Sequence, residues 1–144
     1  IAVTNQLHPF HKDYFEYLIL YAQLYELTDR FDLAVDALVK AFPHLKFEVF
    51  GNLQLHADNI TTANIPPSEV PHMLRARHRL LIVPSASETY GYTFLEGIHY
   101  ADYVLASKIP VFEELLANYK PTNVKLIDPR EPDEWIGAVR EHIA

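Results

Sequence analysis

Residues 83–97 read VPSASETYGYTFLEG, and this stretch decides the fold. It begins at the exit of a buried strand, because Leu80, Leu81, Ile82 and Val83 form an apolar run that Pro84 stops. Ser85, Ala86 and Ser87 then make a loop of small and polar residues that delivers the carboxylate of Glu88. Gly91 lets the backbone turn or come close to a neighbour, and Thr93-Phe94-Leu95-Glu96 has the character of the first turns of a helix. A strand end, a tight loop and a helix start together aim backbone N–H groups outward, where the helix dipole favours an anion. In open α/β sheets such crevices, at the carboxyl ends of strands, are where ligands bind. Glu88 and Glu96, eight positions apart, flank that helix start from the loop side and from inside the helix.

The flanking sequence extends the same alternation. Residues 17–23, YLILYAQ, are aromatic and β-branched enough for a strand, and Thr28 or Asp29 is a candidate N-cap for the next helix. Phe31, Val35, Leu38, Val39 and Phe42 recur at helical spacing until Pro43 ends the helix. Further strands are expected over residues 45–50, 80–83, 103–106 and 124–127. Further helices are expected over residues 68–77, 92–100, 112–118 and 132–142. Residues 53–63 are polar and irregular and predict no element; residues 1–15 open with a short strand-like piece, break at Asn5 and Pro9, and read as a lead-in or linker. Strands alternating with helices specify a single α/β, Rossmann-like domain over residues 1–144, an open parallel sheet with helices on both faces.

Composition bounds the function. A chain of 144 residues is one domain by length and buries roughly two-thirds of its unfolded surface. A formal charge of -7 argues against a broad nucleic-acid surface, although a local basic pocket for one diphosphate is compatible with it. With no cysteine, disulfides, thiolate metal sites and a cysteine nucleophile are excluded, and a reducing, cytoplasmic compartment fits. No apolar run approaches the roughly 20 residues that span a bilayer; peripheral membrane attachment of a full-length protein stays open.

The pattern PS-x-x-E-x-x-G-x-x-x-x-E, here Pro84, Ser85, Glu88, Gly91 and Glu96, resembles a known signature. It is that of the C-terminal, donor-binding domain of two-domain, retaining group 1 glycosyltransferases, which use nucleotide-activated sugars. The flanks keep the family's order. YLILYAQL (residues 17–24) resembles the strand that usually ends in Gly-Arg, and FDLAVDALVKAFPHLKFEVFGN (residues 31–52) the helix and strand that end at a glycine turn. ASKIPVFEEL (residues 106–115) resembles the loop and helix after the signature, and IAVTNQL (residues 1–7) the boundary between the two domains.

The resemblance implies roles residue by residue. Glu88 is the catalytic candidate and accepts hydrogen bonds from donor-sugar hydroxyls, while Glu96 holds the ribose; an ionised carboxylate can accept two such bonds with fixed geometry. The amides of Tyr90, Gly91, Tyr92 and Thr93 face the diphosphate, and Gly51 lets the backbone approach the nucleotide. Positive side chains stand in for a metal, so no metal and no cofactor beyond the nucleotide sugar is expected. The family's arginine aligns with Gln23, its preceding glycine with Ala22, and its lysine near Asp29-Arg30. Gln23 donates a hydrogen bond but no charge, and Arg30 takes the lysine's place if it points inward. Ala101 and Tyr103 replace a usual glycine and proline.

The leading expectation is therefore a domain that binds a nucleotide diphosphate sugar for retaining glycosyl transfer. Alone it is expected to be inactive, because an N-terminal acceptor-binding domain or partner subunit supplies the acceptor side. The departures at Ala22 and Gln23 motivate the alternative, a non-catalytic glycosyltransferase-like interaction or chaperone module. Simpler explanations exist for each feature: Glu96 as a surface helix residue, Glu88 as an N-cap-like one. The pair His8 and His11 has no third ligand at a telling spacing. Arg75, Arg77 and Arg79 fit a solvated helix end, and Tyr14, Tyr17, Tyr21 and Tyr25 fit core and interface aromatics. Neither G-x-G-x-x-G nor G-x-x-x-x-G-K-[ST] occurs, which disfavours dinucleotide oxidoreductases and P-loop NTPases.

Overall fold

The apolar run ahead of Pro84 is a strand near the middle of a seven-stranded sheet. The computed structural model describes residues 2–5, 16–21, 29–50, 57–63, 66–75, 79–85 and 90–143. Its elements are β1 (Ala2–Asn5), β2 (Glu16–Tyr21), α1 (Asp29–Ala41), β3 (Lys46–Phe50), β4 (Ile60–Ala63) and α2 (Val70–Arg75). They continue with β5 (Arg79–Val83), α3 (Tyr92–Tyr100), β6 (Tyr103–Ser107), α4 (Pro110–Tyr119), β7 (Val124–Ile127) and α5 (Pro132–Ile143). A short 3₁₀ turn, Pro67–Glu69, leads into α2.

The strands lie in the order β4-β3-β2-β1-β5-β6-β7. All pairings among β2 to β7 are parallel, as the alternation requires. From β2 the chain moves outward to β3 and β4, then returns to the other side of β2 for β5, β6 and β7, so the order reverses between β2 and β5. At such a switch point the two crossovers leave the sheet on opposite sides and open a crevice at the carboxyl edge.

Strand β1 is the exception. It lies antiparallel between β2 and β5, with Val3 opposite both Leu18 and Leu80. Strands β2 and β5 pair directly only at Ile19 with Leu81 and Leu20 with Ile82. Toward their amino ends the two strands diverge, and β1 fills the fork by supplying the ladder partners that buried backbone groups require. The strand-like opening of the lead-in is thus a strand of the sheet. Strand β4 was unforeseen: Ile60, Thr61, Thr62 and Ala63 show little apolar pattern, yet they pair with β3 along its length at the sheet edge.

Both faces of the sheet are covered. In β5, Leu80 and Ile82 join a core with Ala34, Val35 and Leu38 of α1 and Trp135 and Val139 of α5. Leu81 and Val83 point the other way, into a core with Leu74 of α2, Phe94 of α3 and Phe112 of α4. A strand buried on both sides has no polar face, hence the continuous run of apolar residues. The helix ends also obey local chemistry. Asn59 donates from Nδ2 to the carbonyls of Val39 and Phe42, both at 3.1 Å, and so closes the end of α1. Pro110 and Pro132 start α4 and α5, where a missing N–H costs nothing. Among the described residues no helix is long and apolar enough to cross a membrane.

Helix α3 lies directly on the sheet at Gly97. A Cβ there would overlap Leu81 and come within 2.9 Å of Val104, two buried strand residues with no room to yield. Overpacking costs about 1–3 kcal/mol, against a helix-propensity gain of ~1 kcal/mol for replacing glycine with alanine. Gly97→Ala is therefore expected to lower unfolding stability by about 1 kcal/mol, read from urea titration of the fluorescence of buried Trp135. An unchanged or higher midpoint would contradict this packing.

Candidate functional site

Strand β5 ends at Val83, and Pro84 and Ser85 beyond it are still buried. Ser107, the last residue of β6, donates from Oγ to the Val83 carbonyl at 3.4 Å, joining the two strand ends. Residues 86–89 lie outside the described residues, and Glu88 with them. Gly51 and Gln23 do too, and of Arg30 only the backbone, in the first turn of α1, is described. In sequence, Gln23 comes two residues after β2, Gly51 directly after β3, and Glu88 five residues after β5. Strands β2, β3 and β5 run parallel and end at the same carboxyl edge, on both sides of the β2–β5 reversal.

The helix start at this edge is defined by Gly91. Its φ of 69° and ψ of 35° are left-handed, a conformation that glycine adopts freely. An added Cβ would also lie 2.8 Å from Leu115 and 3.3 Å from Phe112, both on α4. Gly91 thus answers a turn and a close approach at once. It is the N-cap of α3 without a side chain to offer, so its own contribution leaves the first amides, from Tyr92 onward, uncapped. Thr93 and Phe94 face inward, and the Phe94 ring stacks on that of Phe112 with centroids 4.7 Å apart. Tyr90 and Tyr92 are 65% and 62% exposed, their ring centroids 5.5 Å apart, flanking Gly91 on the solvent side.

Glu96 lies in the second turn of α3, next to Gly97. It is half-buried, and burial raises its carboxyl above the ordinary range near 4.5. Among the described residues no cation is paired with it. Of the residues singled out from the sequence, the structure brings together Tyr90, Gly91, Tyr92, Thr93 and Glu96 on one loop and helix. Sequence reasoning missed the wall that Val111, Phe112 and Leu115 of α4 build against Gly91. Their helical spacing was the available signal.

Three hollows lined by described residues lie elsewhere. One of 510 Å³ is lined by Val39, Pro43 and Lys46 at the amino edge, and one of 500 Å³ by His99, Tyr119 and Asn123 beyond the end of α3. A third, of 370 Å³, lies between β6, β7 and His142 of α5, whose imidazole burial pushes down against the opposing charge of Asp102. Among the described residues no three His, Cys, Asp or Glu side chains come together to hold a metal ion.

Residues 16–144 match the family model of the glycosyl transferases group 1. The chain belongs to this family. Its fold resembles that of the C-terminal domain of a glycosyl transferase group 1 family protein, LpcC, from Francisella tularensis. The TM-score is 0.63 at 17% identity, and the match covers 88% of this chain and 75% of that one. No curated protein matches the chain by sequence.

Within this glycosyltransferase domain Glu96 has a measurable signature. A carboxyl raised on folding holds its proton more tightly in the folded state. Its contribution to stability is full below the ordinary value near 4.5 and is lost as pH rises through the raised one. At pH 7, Glu96→Gln is therefore expected to raise the melting temperature of the ligand-free domain, with the gap closing as the pH falls below 4.5. A lower melting temperature at pH 7 would show Glu96 to be a stabilising surface charge instead.

Proposed function

We propose that this group 1 glycosyltransferase domain binds a nucleotide diphosphate sugar at its carboxyl edge and presents it for transfer with retention at the anomeric carbon. The observation that carries this reading is a coincidence of position. The strand order reverses between β2 and β5, and the helix that starts beyond β5 does so at a left-handed, side-chain-free Gly91 with Glu96 one turn inside. In this reading the first amides of α3, with those of Tyr90 and Gly91, hold the diphosphate, and the helix dipole contributes ~0.3–1 kcal/mol per charge. Glu96 accepts hydrogen bonds from the ribose hydroxyls. Its cost in the empty domain is then repaid on binding. Glu88 holds hydroxyls of the transferred sugar, and Gly51, Gln23 and Arg30 face the nucleotide and phosphates from the β3 and β2 exits. The bond from the anomeric carbon to the diphosphate breaks with its electron pair leaving on the diphosphate oxygen, and the acceptor oxygen bonds to the same face and passes its proton to that oxygen. The acceptor comes from an N-terminal domain or partner subunit.

A specific observation supports the alternative of a non-catalytic interaction module: Gln23, two residues beyond β2, carries no charge to place on a leaving diphosphate. Losing one such stabilising group costs ~3 kcal/mol of transition-state stabilisation, yet leaves binding largely intact.

Calorimetry with uridine, guanosine and adenosine diphosphates tests the first reading. One of the three is expected to bind, and Glu96→Gln to weaken it about tenfold, the equivalent of ~1.5 kcal/mol for hydrogen bonds to a charged group. Absence of binding by all three at millimolar concentration overturns the donor site. In a protein that joins this domain to an acceptor-binding half, transfer that Glu88→Ala abolishes excludes the non-catalytic alternative. Binding without transfer supports it.

A further inference from the structure

A nucleoside diphosphate brings at least two negative charges to a chain of net charge -7. The dipole of α3 offers about half a charge, so full neutralisation needs a cation at the carboxyl edge. The described cations sort by edge. Lys40, Lys46, Arg75, Arg79, Lys120 and Arg140 sit where helices end or where β3 and β5 begin, at the amino edge. Lys125 is inside β7. Three remain at the carboxyl edge: Arg30, in the first turn of α1 and already assigned to the phosphates, which with the dipole still leaves about half a charge uncompensated; Lys108, directly after β6; and Arg130, three residues after β7. Arg130 is already engaged by Asp128, its Nε at 3.0 Å from Oδ1 and its terminal nitrogen at 2.8 Å from Oδ2. For Lys108, exposed, there is no carboxylate partner among the described residues.

The backbone fixes where Lys108 stands. Its N–H donates to the Ile127 carbonyl at 2.7 Å, and its neighbour Ser107 reaches the Val83 carbonyl, where β5 gives way to the loop before Gly91. Ile109 then caps α4 without a side-chain hydrogen bond, and Val111 comes within 3.4 Å of the Cβ position of Gly91. The turn that carries Lys108 therefore sets the starts of α3 and α4 side by side. Its ammonium rides on a flexible four-carbon stem. We propose that Lys108 is a phosphate-binding cation of this domain, on the β6 side of the edge, supplying the charge that Gln23 lacks. This assignment rests on the donor site proposed above.

Titration calorimetry on the wild-type chain, Lys108→Ala, Lys108→Arg and the amino-edge control Lys120→Ala tests it, with uridine, guanosine and adenosine diphosphates and their parent nucleosides as probes. Lys108→Ala is expected to weaken the diphosphate about tenfold at low salt, less as salt screens the charge, and to leave the nucleoside within about twofold. Lys108→Arg is expected to keep most of the affinity, and Lys120→Ala all of it. Wild-type diphosphate affinity in Lys108→Ala, or an equal loss for diphosphate and nucleoside, overturns the assignment of Lys108 alone. Failure of the wild-type chain to bind any of the diphosphates overturns the donor site and this assignment with it.

Discussion

The contact on which the arrangement depends is the one between Gly97 and the strand residues Leu81 and Val104. With no side chain between them, α3 lies flat on the sheet, and its position along β5 and β6 is set by hard-sphere contact. A helix held there by its sixth residue has its start fixed too, one and a half turns back at the carboxyl edge. Phe94 stacked on Phe112 and Gly91 against Leu115 then fix the helix against α4. Precision at the rim comes from the core beneath it, where packing tolerates displacement least.

The two edges of the sheet do different work. At the amino edge the fork between β2 and β5 is closed by β1, and Asn59 finishes α1 with two carbonyl contacts. At the carboxyl edge, by contrast, the N-caps of α3 and α4 are Gly91 and Ile109, neither of which caps with a side chain. Glu96 is half-buried there at a cost to its charged form.

Much of the alternation was legible in the chain. Pro43 and Pro84 end their elements, LLIV is a strand buried on both faces, and residues 92–100 form a helix as the spacing of Thr93, Phe94 and Glu96 implied. The strand-like opening of the lead-in is strand Ala2–Asn5, but its antiparallel place between β2 and β5 was not legible. What escaped was a strand without a pattern: Ile60–Ala63 is one because β3 offers an open edge. Neither reason is visible in four residues, since both belong to the neighbours. For the candidate site, the sequence singled out Gly91 and Glu96 as a turn and a helical carboxylate, and the structure places them so. Glu88, Gly51 and Gln23 lie outside the described residues.

By itself the sequence determined the order of elements, the family and the stretch around Gly91, because periodicity, proline breaks and a spaced motif are local and survive without neighbours. Only the tertiary structure decided that the strand order reverses between β2 and β5, that β1 runs against its partners, and that Lys108 and Gly91 share one edge. These are matters of which distant segments meet. They are set by burial on both faces of a shared sheet, and no single segment contains that information.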